Sequence, residues 1–96
     1  MPKTLTNNEV MKQLVRSAGS VGANYIEANE SLSKKDFIMR VKICRKEAKE
    51  TRYWLKLVAC NKETEKTNHY LIQEATELMK IFGAILEKTK KPESLE

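Results

Sequence analysis

Apolar side chains recur at steps of three and four along nearly the whole chain, and that period restricts it to helices. Met11, Leu14, Ala18, Val21, Tyr25 and Ala28 form one seam. Phe37, Val41, Cys44, Ala48, Thr51, Leu55 and Val58 form a second, and Leu71, Ala75, Leu78, Phe82 and Ile85 a third. The spacing predicts helices over about 8–30, 34–61 and 66–90, with a frayed tail over 91–96. Asn7 or Asn8 is a candidate cap for the first helix, with Glu9 in its first turn. The second start is better marked: Ser33 and Asp36 form an S-x-x-D capping box, and Leu32 is placed to staple onto Phe37. Only two prolines and three glycines interrupt the 96 residues, which favours long helices over sheets. No linker, repeat or low-complexity segment divides the chain. The expected fold class is therefore all-α: one domain over 1–96, an up-and-down antiparallel bundle of three long helices.

Inside the first helix the stretch RSAGSVGANYIEAN holds two glycines and three alanines. A phosphate loop needs glycines between a strand and a helix, usually followed by Lys-Ser/Thr, and GSVG has neither context. The remaining reading is packing. Ala18 and Gly22 stand four apart, as do Gly19 and Ala23, and these small-residue pairs bare one side of the helix to a close neighbour. The cost is about 1 kcal/mol of helix propensity per glycine. On the same helix Arg16, Ser20, Asn24 and Glu27 stack into a polar ladder. It is either a solvated face or a hydrogen-bonded seam against another helix or subunit.

Charge is unevenly distributed. The formal excess is +5, yet residues 1–33 are neutral, residues 34–62 carry net +7 and residues 63–96 carry net −2. Such asymmetry points to an acidic partner. On the second helix Lys42, Arg45, Lys49, Arg52 and Lys56 step by three and four into one basic stripe, with Tyr53 and Trp54 beside it. Phosphates neutralised by such a stripe release counterions, giving salt-dependent and mostly sequence-blind binding, and the aromatics can stack on bases. The competing reading is a solvated face in which Glu47 and Glu50 pair with these cations at helical spacing, and Trp54 belongs to the core.

Taken together, RSAGSVGANYIEAN, SKKDF and the CRKEAKETRYWL segment resemble a four-helix-bundle family. It includes the 23S rRNA intervening-sequence proteins and the accessory variability proteins of diversity-generating retroelements. The resemblance implies a bundle that assembles into a homopentamer with a basic surface, and for the retroelement relatives a reverse transcriptase and nucleic acid as partners. That family carries a further helix before the segment beginning here at Leu5. Only MPKT precedes it in this sequence: either a longer protein begins upstream of Met1, or three helices fold with help from partner chains, a missing helix leaving one groove of the bundle open.

Catalysis finds little footing. His69 is the sole histidine, and Glu65 one turn before it does not complete a metal site. Cys44 reads as a small core residue. On one straight helix Cys60 would stand too far from Cys44 to bridge it. No cofactor is expected, no apolar run is long enough to span a bilayer, and two cysteines without an export signal suggest the cytoplasm. The functional expectation is a non-enzymatic, self-associating helical bundle whose basic face meets RNA, DNA or a nucleoprotein partner. The alternative is a purely structural oligomer or protein-interaction adaptor.

Overall fold

The computed structural model describes residues 5–58 and 60–90, and these fold into three helices without a strand: α1 (Leu5–Asn29), α2 (Lys34–Leu57) and α3 (Lys62–Thr89). The chain folds up, down and up, with α2 in the middle. Both α1 and α3 pack along α2, while α1 and α3 do not approach each other at backbone range. Only side chains span that gap, as where the Tyr25 and Phe82 rings lie 6.4 Å apart between centroids. The result is a long, thin array of 54 × 20 × 15 Å with a radius of gyration of 16.0 Å. A compact chain of this length would have about 12–13 Å.

The helix boundaries follow local chemistry. At the start of α2, the Ser33 side chain accepts from the Asp36 backbone N–H at 3.1 Å, the N-cap half of the expected box. The expected staple does not form, because Leu32 is fully exposed. The break between α2 and α3 lies earlier than the periodicity suggests. Val58 turns extended (φ −65°, ψ 126°), and Asn61 caps α3 by accepting from Thr64 N–H at 3.1 Å. Glu63 and Glu65 in the first turn and Lys88 in the last suit the dipole of α3. Cys60 therefore lies in the connection and not on the helix of Cys44. Neither Asn7 nor Asn8 caps α1, since the helix already runs from Leu5 and Asn7 is buried within it. The tail over 91–96 lies outside the described residues.

The core joins Ala28 of α1, Val41, Cys44 and Ala48 of α2, and Phe82 and Leu86 of α3, with Val21, Phe37 and Met79 packed on its edge. Most of these side chains are short. That lets α1 and α2 approach closely enough for the Cys44 thiol to reach the Val21 carbonyl at 3.6 Å. Burial pushes the Cys44 thiol above its ordinary range, the expected behaviour of a small inert core residue.

Two seams differ from the simple period. On α1 the buried row is Val10, Ser17 and Ala28, while Ala18 is exposed and Tyr25 stays 48% exposed beside Phe82. On α3 Leu86 is buried, and Leu71 and Leu78 stay 43% and 36% exposed. The reason is geometric. Each outer helix has one neighbour, so only a narrow stripe is covered and the flank facing the α1–α3 gap is left open. Phe82 is the largest side chain bridging the layer, so Phe82→Ala should cost about 3–5 kcal/mol. For a domain this small that is much of the total stability. Circular dichroism should show most of the helical signal lost below body temperature.

Candidate nucleic-acid interface

The polar ladder of α1 faces α2. Arg16 extends across the interface and forks onto two carboxylates, Nη1 to Glu47 Oε2 at 3.2 Å and Nη2 to Glu50 Oε1 at 2.9 Å, while its Nε donates to Gln13. Glu47 is buried to 6% exposure, whereas the Arg16 side chain remains half exposed. Two turns along, Arg40 of α2 donates to Asn24 Oδ1 at 3.0 Å, and the Asn24 amide donates to the Ser20 carbonyl at 2.9 Å. Between these points, Ser17 is wholly buried. The Thr51 hydroxyl lies 3.0 Å from Ser17 Oγ and 2.8 Å from the Glu47 carbonyl, so one proton serves two acceptors. Arg16, Ser20 and Asn24 thus belong to a seam within the chain. Glu27 does not join it: its side chain is exposed, and Ser31 donates to its backbone carbonyl.

This seam decides the electrostatics of α2. The sequence allows Glu47 and Glu50 to neutralise the basic stripe along their own helix. They point instead to Arg16. Lys42, Arg45, Lys49, Arg52 and Lys56 have no ion-pair partner among the described residues, and all but the half-buried Arg52 are exposed. Of these, Lys42, Arg45 and Lys49 line the flank of α2 that turns toward α3. There a cleft of about 520 Å³ opens between the helices, with Lys42, Arg45, Lys46 and Lys49 on one wall, Glu87 and Lys90 on the other, and Met79 and Leu86 between them. Gly83 stands behind Arg45, and a Cβ there would lie 3.9 Å from the guanidinium Nε. Tyr53 is exposed beside the stripe and meets Trp54 edge-on, ring centroids 5.0 Å apart. Trp54 is half-buried, and its Nε1 is closed off from solvent without a partner. Only Tyr53 is thus free to meet a ligand.

Ala18, Gly19, Gly22 and Ala23 lie on the outer face of α1, all exposed. An added Cβ at Gly19 or Gly22 would meet nothing within 4 Å. Close helix packing inside the chain uses Ser17, Ala28, Cys44 and Ala48 instead. Around the glycines Val15 and Ile26 are 65% and 59% exposed. His69 is exposed near Glu65 at the start of α3, and no three His, Cys, Asp or Glu side chains converge among the described residues. Among those residues no helix is long and apolar enough to cross a membrane.

Sequence reasoning missed Glu47, Glu50, Arg40, Ser17 and Thr51 as partners of the ladder, and Met79, Leu86 and Lys90 as the rest of the cleft. One signal was available. Glu47 directly precedes Ala48 and follows Cys44 by three, which places a carboxylate at the edge of an apolar seam and asks for a cation opposite.

Against known proteins, a family model described as 23S rRNA-intervening sequence protein matches residues 1–84. Among solved structures the chain is similar to a protein of unknown function from the S23 ribosomal protein family of Bacteroides thetaiotaomicron. The two are 36% identical, the match covers 80% of this chain and 72% of that one, and the TM-score is 0.71. No curated protein matches.

Arg16 holds two carboxylates with one planar fork, a geometry lysine cannot reproduce. Arg16→Lys should therefore recover little of the loss in Arg16→Ala, which leaves Glu47 buried and unpaired at a cost of about 1–3 kcal/mol. Thermal unfolding should show the alanine variant melting about 4–8 °C lower for each kcal/mol lost. Equal stability of all three proteins would remove the fork from the account.

Proposed function

The chain belongs to the 23S rRNA-intervening sequence protein family, and on that premise we propose that it binds nucleic acid, RNA foremost, by its phosphate backbone along the basic flank of α2. The observation that carries this reading is the row of cations from Lys42 to Lys56, left uncompensated because Arg16 takes up both Glu47 and Glu50. A row of unpaired cations on one straight helix holds condensed positive potential. A polyanion neutralising it gains the entropy of released counterions. The segment's net charge of +7 within a chain of +5 steers such a partner to this helix in preference to α1 or α3. The reading assigns no catalytic step. A nucleoprotein complex is its wider form, since protein-bound RNA presents the same phosphates.

Replacing Arg45 and Lys49 together by glutamine should weaken RNA binding to a similar degree for unrelated sequences. The slope of log K against log salt should fall by about 1 for each phosphate contact removed. Fluorescence anisotropy over a salt series measures both. A binding curve that does not shift with salt excludes the proposal.

Self-association is the second part of the reading, and the outer face of α1 supports it. Gly19 and Gly22 each lower helix stability by about 1 kcal/mol with nothing inside the chain to use the space they leave. Exposed Val15 and Ile26 flank them. A face with these properties is useful to a second chain and costly otherwise. Gly22→Leu should leave the helical content intact or raised, because the position is open, yet lower the solution mass measured by light scattering. An unchanged mass, or a monomer in the parent protein, refutes this part and leaves RNA binding by α2 to stand alone.

A further inference from the structure

The cleft between α2 and α3 combines two properties that a duplex cannot use together. Its α2 wall carries Lys42, Arg45, Lys46 and Lys49, and Lys90 faces them from the end of α3 beside Glu87. Between the walls lie Met79, packed on the core, and the buried Leu86. Cations suit phosphate, but thioether and isobutyl groups offer a phosphate nothing. They suit the flat apolar face of a base or the carbon edge of a ribose. Packed helices stand about 8–10 Å apart between axes, so the cleft between them is narrow. A duplex keeps its bases stacked inside and turns phosphates outward, so it can touch the rim of such a cleft without reaching the apolar surface.

We infer that the α2–α3 cleft takes a single-stranded polynucleotide, with successive phosphates along Lys42, Arg45 and Lys49 and a base or ribose face laid on the half-buried Met79. The inference rests on the proposal that α2 binds nucleic acid and adds to it the strandedness of the ligand and the participation of α3. Steps of three and four residues advance about 4.5–6 Å along a helix, a spacing that an extended, flexible strand can follow from one phosphate to the next. Lys90 closes the other side. Its ammonium is 3.1 Å from Glu87, an exposed pair of little intrinsic strength that gives way readily to a phosphate. Single-strand grooves of this kind join a cationic track to surfaces for base faces. Here the Met79 side chain takes the part that aromatic rings fill elsewhere, while Arg45, lying near α3 at Gly83, meets a phosphate.

The test uses the full chain and three labelled probes: a uridine 12-mer, an RNA hairpin duplex with the same number of phosphates, and a glutamate-rich peptide. Anisotropy is followed at two salt concentrations. The 12-mer should bind about tenfold tighter than the hairpin, near the lower end of what base-face contacts supply. Lys90→Gln should reduce the salt slope by about 0.7 for the 12-mer, the single-strand value for one phosphate contact, and leave the hairpin unchanged. Met79→Ser, checked for folding by circular dichroism, should erase part of the strand preference without changing the slope. Lys80→Gln, outside the cleft, is the control and should change nothing.

Equal affinity for strand and hairpin, or indifference of the 12-mer to Lys90→Gln, overturns the cleft assignment while leaving phosphate binding by the outer flank of α2 in place. Failure of both RNAs to bind at about 50 mM salt overturns the underlying reading as well. So does capture of the peptide alone.

Discussion

The bidentate reach of Arg16 from α1 to Glu47 and Glu50 on α2 supports two otherwise separate features of this protein. It fixes the pairing of the first two helices, because a planar guanidinium satisfies both carboxylates at one register and no other. A shift by one turn would strand Glu47, buried to 6% exposure, away from any cation. It also strips α2 of its own neutralising acids. Three helix turns that read as mixed charge in the sequence become a surface of one sign. Packing and surface potential thus depend on the same three side chains, and a change made for stability at Arg16 alters the field of the basic flank as well.

The remaining architecture follows from α2 having neighbours on two sides. Small side chains at Ser17, Ala28, Cys44 and Ala48 draw α1 close, while Phe82 and Leu86 hold α3. Each outer helix covers only one stripe. Apolar groups outside those stripes, Val15 and Ile26 on α1 and Leu71 and Ile81 on α3, consequently remain exposed. The basic flank of α2 lies beside the α3 cleft, whereas the small-residue face lies on α1. The proposed association through α1 and the proposed binding through α2 therefore call on different surfaces.

Much of this was legible in the primary structure. Periodicity located all three helices, and Ser33 with Asp36 marked the start of α2 within its real boundary. Cys44 and Ala48 read correctly as core. The spacing of Lys42, Arg45, Lys49, Arg52 and Lys56 placed them on one face, as helical geometry demands. Errors came where two readings share one period. Asn61 has the helical spacing of a last turn but caps the next helix. Ala18 and Ser17 are adjacent candidates for burial, and hydrophobicity favours the alanine, whereas the structure buries the serine because Thr51 stands opposite with a hydroxyl.

What the sequence by itself determined is the set of faces: each helix, its polar and apolar stripes, the basic row and the glycine-bearing side. Local rise and rotation impose these whatever surrounds them. Which faces meet was decided only in the tertiary structure, because that choice depends on partners distant along the chain. Arg16 finds Glu47 across 31 residues and Asn24 finds Arg40 across 16. Glycines that suit close packing are left open, while a serine and a cysteine do that packing instead. The cleft is likewise a tertiary object: its two walls come from helices separated by a turn at Val58 that periodicity alone does not reveal.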